Sequence, residues 1–285
     1  GRNTVSAGVI SSRNVNVDDL KNDGKVAAGE NITARKVTNT GDIAAAGTVS
    51  SDDMATSGTV KANKTVTVSG KLENDGDLEA VEDIKVSGNV RNTKEIATNG
   101  DFSGKNVISK GKIISKNFES EDLDNDGKIS SNENVKARNI KNTGEIQAVG
   151  SISGNDLKTS GKVRANRKIT VSGELENDGT LETAEDVKVS GNIRNTGRIA
   201  SNGDLTGKDT INSGTISSKN VTAGNLQNDG KIIANGDLKA KNVKNTKDIT
   251  AVGTVSSDDL VTSGNVRANR KITVSGKLEN SGAVE

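Results

Sequence analysis

Residues 57–76 read SGTVKANKTVTVSGKLENDG. The stretch returns at 160–179 as SGKVRANRKITVSGELENDG and a third time at 263–282 as SGNVRANRKITVSGKLENSG. The spacing is 103 residues. It holds elsewhere: Asn22-Asp23-Gly24 recurs as Asn125-Asp126-Gly127 and Asn228-Asp229-Gly230, with no insertion or deletion. Unbroken tandem periodicity marks a stacked solenoid, in which each repeat buries its apolar side only against its neighbours.

A smaller period lies inside the large one. A turn signature, Asn/Ser/Thr-x-Gly or a variant, begins at Asn22, Asn39, Thr56, Asn74, Asn92, Ser109 and Asn125. Six coils of nearly constant length therefore fill one block, and the signatures from Ser6 to Asn280 number 17. Large apolar residues come every five or six positions: Ile146, Ile152, Leu157, Val163, Ile169, Leu175, Leu181, Val187, Ile193, Ile199 and Leu205. A helix would place them three and four apart. The spacing predicts very short strands, each with one apolar side chain inward and its neighbours outward, three to a triangular coil. The fold class expected is all-β, a parallel β-helix or β-solenoid of about 17 coils. Stacked about 4.8 Å apart, they would make a rod roughly 80 Å long. Phe102, aligned with Leu205, and Phe118, aligned with Val15 and Val221, read as core residues. The 32 glycines suit corners that need positive φ. The absence of Pro suits coils that lend every N–H to a neighbour.

Composition supports a thin core. Of 285 residues 30% are hydrophobic and 1% aromatic, which in an aperiodic chain would approach disorder. We expect one continuous solenoid over 1–285, with super-repeats at 22–124, 125–227 and, in part, 228–285, cut from a longer protein because neither end carries an obvious cap. Lys and Arg total 39 against 38 Asp and Glu, without a basic run interleaved with aromatics, so nucleic-acid binding is not indicated. No apolar run approaches the length of a membrane-spanning helix, which argues against membrane insertion. With no Cys and no His, disulfides, the usual zinc sites and His-based triads are excluded.

Three motifs bear on chemistry. Asp122, Asp124, Asp126, Ser130 and Glu133, with Gly127 at the sixth place, match an EF-hand calcium loop position by position. The other blocks place Lys21, Gln227 and Gly236 at ligand positions but keep the turn, so the match reads as a turn with surface carboxylates. Asn recurs at the turn start: Asn22, Asn39, Asn74, Asn92, Asn125, Asn142, Asn177, Asn195, Asn212, Asn228, Asn245 and Asn280. Such a column can form a side-chain ladder along the stack, or each Asn can serve its own turn. The carboxylate pairs Asp52-Asp53, Glu82-Asp83 and Asp258-Asp259 suggest acid–base work, but coils this short leave no loop to wall a pocket. We expect no enzyme, no metal site and no cofactor.

The pieces in NTGEIQAVGSISGNDLKTSGKV, residues 142–163, resemble the repeats of filamentous haemagglutinin-like exoproteins, the two-partner-secretion adhesins and contact-dependent inhibition shafts. The resemblance covers essentially the whole chain. It implies a right-handed β-helix forming an exported fibrous shaft on a bacterial surface. The partners it implies are an outer-membrane secretion partner and host or bacterial receptors. Open coil ends add self-association end to end. The alternatives are a bactofilin-like cytoskeletal filament, a left-handed hexapeptide helix, whose six-residue register is broken between Ile152 and Leu157, and a trimeric tail-fibre shaft.

Overall fold

The computed structural model describes residues 3–285. Every described element is a strand, and the chain is a parallel β-solenoid of about 17 turns. It divides into two compact units, Gly1–Arg138 with Gly144–Gln147, and Asn139–Thr143 with Ala148–Glu285.

In the first unit a representative coil is the strand Lys25–Ala28, a corner at Gly29-Glu30-Asn31, and the strand Ile32–Asn39. The long strand buries its first, third, sixth and eighth residues, Ile32, Ala34, Val37 and Asn39, and leaves Arg35 and Lys36 side by side outside. Strict alternation would put one of those two inside. The doubled outward step is a bend, and it turns one eight-residue strand into two sides of a triangle. Where the step widens, as at Ser69-Gly70-Lys71, the strand divides into Val66–Val68 and Leu72–Asn74. The shortest coils trim the other corner to the pair Lys116-Asn117, between Lys112–Ser115 and Phe118–Asn125.

The triangle expected from the apolar spacing is present, but each side sends two residues inward. The large one is followed two places on by a small one: Val26 and Ala28, Ile32 and Ala34, Val37 and Asn39. The core therefore holds three columns of mainly large apolar residues and three of mainly smaller ones, Ala, Val, Ser or Thr in two and chiefly Asn in the third. Pairing is parallel and in register, Ile32 on Val49, Val37 on Met54 and Val26 on Ile43. Each fully buried large side chain contributes roughly 1.5–3 kcal/mol, so three per coil support a fold with so little apolar residue overall. Phe102 and Phe118 stack in one column with ring centroids 5.3 Å apart, both buried. Gly104 lies beside them, where a Cβ would stand 2.8 Å from Val90 Cγ2.

The second unit repeats the plan. Ile169 pairs with Val187, Leu175 with Ile193, and Leu181 with Ile199. The apolar positions from Ile152 to Leu205 that the spacing singles out in this unit are all buried, as is Ile146 in the first.

The glycines are explained differently from the sequence expectation. No described glycine has positive φ. What they supply is close approach between coils. A Cβ on Gly41 would lie 2.0 Å from Gly24 O, and one on Gly58 2.0 Å from Gly41 O. The corners stack so tightly that a side chain must displace backbone. Lys94 and Lys247 stand in the same column of corners, so the corner accepts a side chain there.

Candidate functional site

The asparagine column is an interior feature. Its members end strands and, apart from Asn280, their side chains fill the small inward position of the second side; Asn22, Asn74, Asn195 and Asn228 have no exposed surface. The turn begins one residue later. Buried amides must be satisfied, and stacking supplies the partners. In the first unit Asn22 Nδ2 lies 2.8 Å from Asn39 Oδ1, 3.1 Å from Gly24 O and 3.0 Å from Asp42 O. Asn39 donates in turn to Thr56 Oγ1 at 3.1 Å. The Thr56 hydroxyl donates to Gly58 O, and Asn74 Oδ1, one coil on, has no hydrogen bond. The ladder restarts from Asn74 to Asn92 at 2.8 Å and reaches Ser109 Oγ at 3.3 Å. Asn125 Nδ2 donates to Gly127 O and Glu145 O.

In the second unit Asn142 donates to Thr159 Oγ1 at 3.1 Å, and Asn177 Oδ1 lacks a hydrogen bond. From Asn177 the ladder runs unbroken through Asn195, Asn212, Asn228 and Asn245 at 2.7–2.8 Å, and ends on Thr262 Oγ1 at 3.1 Å. Asn280 departs from the column's pattern. It is exposed, and its Oδ1 accepts only from Gly282 N, at 2.9 Å.

The carboxylate pairs are corner caps. Asp52 Oδ1 accepts from the Ser69 hydroxyl at 3.0 Å, and Asp53 Oδ1 from Lys71 N at 2.8 Å. Asp258 and Asp259 repeat this on Ser275 and Lys277 N. Asp83 meets Lys85 Nζ at 2.8 Å and accepts from Asp101 N at 2.9 Å, which together hold its carboxyl below the ordinary range. A carboxyl so held stays ionised, the opposite of what a general acid needs. Asp237 is held low in the same way, by Thr254 N and the Thr254 hydroxyl. Glycine makes room for these caps: a Cβ on Gly70 would meet Asp53 Oδ1 at 2.5 Å.

The EF-hand-like residues are spread over two sides and two corners. Asp122 and Asp124 lie in the strand Phe118–Asn125, Asp126 in the next corner, Ser130 in Lys128–Ser131 and Glu133 in the corner after it. Asp122 meets Arg138 at 3.1 Å, and Glu133 meets Lys116 at 3.7 Å. No group of three or more acidic side chains with metal-site geometry occurs among the described residues.

Charges pair from coil to coil. Lys61 meets Glu79 at 2.9 Å, Lys94 meets Asp77 at 2.8 Å and Lys158 meets Glu176 at 2.6 Å. Such exposed pairs, screened by water, add little to stability. Their larger effect is on register, since a slipped coil would set like charges together.

No family model, curated protein or solved structure matches this chain. Among the described residues no helix is long and apolar enough to cross a membrane.

Proposed function

We propose that the chain is the fibrous shaft of an exported, adhesin-type bacterial exoprotein. In this reading it is a non-catalytic spacer that sets the distance between a cell surface and a distal binding or effector domain. The observation that carries the reading is uniformity. Coil length barely varies along the chain, and among the described residues no long loop interrupts the corners. Tandem 103-residue blocks of such coils, in unbroken register, add length without changing the coil plan. The resemblance to filamentous haemagglutinin-like repeats supports export. Charges matched between coils and side-chain caps at corners suit a surface that faces water.

Protease shaving of intact cells, with mass spectrometry for peptides of the 103-residue block, tests this. Release from intact cells is the expected result. Protection until lysis would overturn the exported reading in favour of a bactofilin-like filament inside the cell. Deleting one block then separates a spacer, which loses reach, from an adhesive shaft, which loses avidity in proportion.

A further inference from the structure

The three sides of the coils do not diverge equally between copies. Compare residues 57–109 with 160–212. The outward residues on the first half of the long strand are Thr67, Lys85 and Ser103 in one copy, and Thr170, Lys188 and Thr206 in the other. On the second half they are Glu73, Arg91 and Ile108, and again Glu176, Arg194 and Ile211. The large inward residues of the four-residue strands also match, Val60, Leu78 and Ile96 against Val163, Leu181 and Ile199. Only the outward side of the four-residue strands reverses its charge. There the first copy sets Lys61 against Asp77, Glu79 and Glu95, while the second sets Lys162, Arg164 and Arg198 against Glu182 alone.

On that same side the second copy carries a groove of about 250 Å³, lined by Arg164, Asn166, Glu182, Ala184, Arg198 and Asn202 among others. Ala184 stands where the first copy has Val81, a side chain that projects into solvent with 52% of its surface exposed. Arg198 takes Glu182 at 2.6 Å. The Arg164 guanidinium has no ion pair among the described residues, and the Asn166 and Asn202 side-chain amides carry no hydrogen bond. In the first copy the counterpart of Arg164, Lys61, is held by Glu79. One cation, two amides and an alanine thus line the groove.

We propose that this groove binds one hexuronate unit of an acidic saccharide. A guanidinium presents a planar pair of donors that matches a carboxylate. Each carboxamide both donates and accepts, as a sugar hydroxyl does. The volume lies just under the range of drug-sized sites and suits a single ring. No aromatic platform adds stacking, so the carboxylate contact dominates. The inference does not depend on export and goes beyond a spacer role, because it assigns the second copy a ligand that the first is not built to hold.

The test is titration of the full chain with D-galacturonate and, as its neutral counterpart, D-galactose, followed by saturation-transfer NMR. Galacturonate is expected to bind about tenfold or more tighter than galactose. Arg164→Gln and Ala184→Val should each weaken it about tenfold, the latter by restoring the first copy's side chain. Lys61→Gln should match the parent chain. Absence of galacturonate binding, equal binding of galactose, or unchanged affinity in both groove variants would overturn the proposal. So would a salt-sensitive self-association abolished by Arg198→Glu with no sugar bound, which would make this side a protein interface.

Discussion

The asparagine corner behaves differently in the two units, and a single position separates them. In the second unit Asn212 passes the ladder from Asn195 to Asn228, so the amides connect without a gap from Asn177 to Thr262. In the first unit the equivalent position is Ser109, whose hydroxyl donates to Gly111 O within its own corner. An amide is both donor and acceptor and is long enough to span the gap between coils. A hydroxyl accepts from one side and uses its only proton locally. The same holds at Thr56, above which Asn74 Oδ1 is left without a partner. The inward Asn therefore stabilises the stack as part of a run.

That contrast can be broken most severely at the centre of the longer run. Asn195→Ala removes donors to Asn212 Oδ1, Gly197 O and Thr215 O, and the acceptor of Asn177. At roughly 1–3 kcal/mol for each buried group left unmet, urea unfolding should show a loss of about 4 kcal/mol. Asn92→Ala, inside the short run with a longer bond to Ser109, should cost about half as much. Similar losses would show that the run does not matter. Gly179→Val attacks the corner beside the ladder, where a Cβ would lie 2.0 Å from Gly161 O. A loss of about 3 kcal/mol is expected from the forced backbone shift, and thermal melting that matches the parent chain would contradict the close-approach reading. Ser109→Asn should convert the first unit's corner to the second unit's pattern and add about 1 kcal/mol, read as a higher urea midpoint.

The smallest effect concerns acid. Asp83 is held below its ordinary value of 3.8 by Lys85 and by Asp101 N. Its folded-state value is thus the lower one, so its contribution is complete above that ordinary value and fades as pH falls through the folded one. Asp83→Asn should lose this small contribution at pH 7 and converge on the parent chain by about pH 2, so that its acid profile is flatter. An unchanged acid profile would mean that the cap is not coupled to folding.

Much of this is legible in the chain alone. Coil length and the large inward residues can be read because each apolar position recurs in its own column, and Ile152, Leu157, Val163 and Ile169 are buried as their spacing requires. The small inward residues are harder to see. Ala34 and Ala45 are mute in hydropathy, and Asn39 precedes a Thr-Gly pair that reads as a turn, so its inward direction is hidden by its own turn propensity. Glycine misleads for a related reason. Positive φ is its commonest use, but here the constraint is a carbonyl of the preceding coil, many residues away in the chain. The groove beside Arg164 is invisible in the sequence because it depends on Ala184 and Asn202, which become neighbours only once coils are aligned.

Parallel pairing between consecutive coils also decides how the protein would respond to pulling. Within each unit an inner coil is bonded to the one before and the one after, so tension applied along the unit loads these contacts in series. The outermost coil peels first. A coil of about 17 residues that occupies about 5 Å of stack can release about 60 Å of extended chain. Successive releases would give a sawtooth of nearly equal steps, and an unbroken amide run would set a higher plateau than an interrupted one. Such a stack yields by lengthening, and it dissipates load long before its covalent backbone is strained.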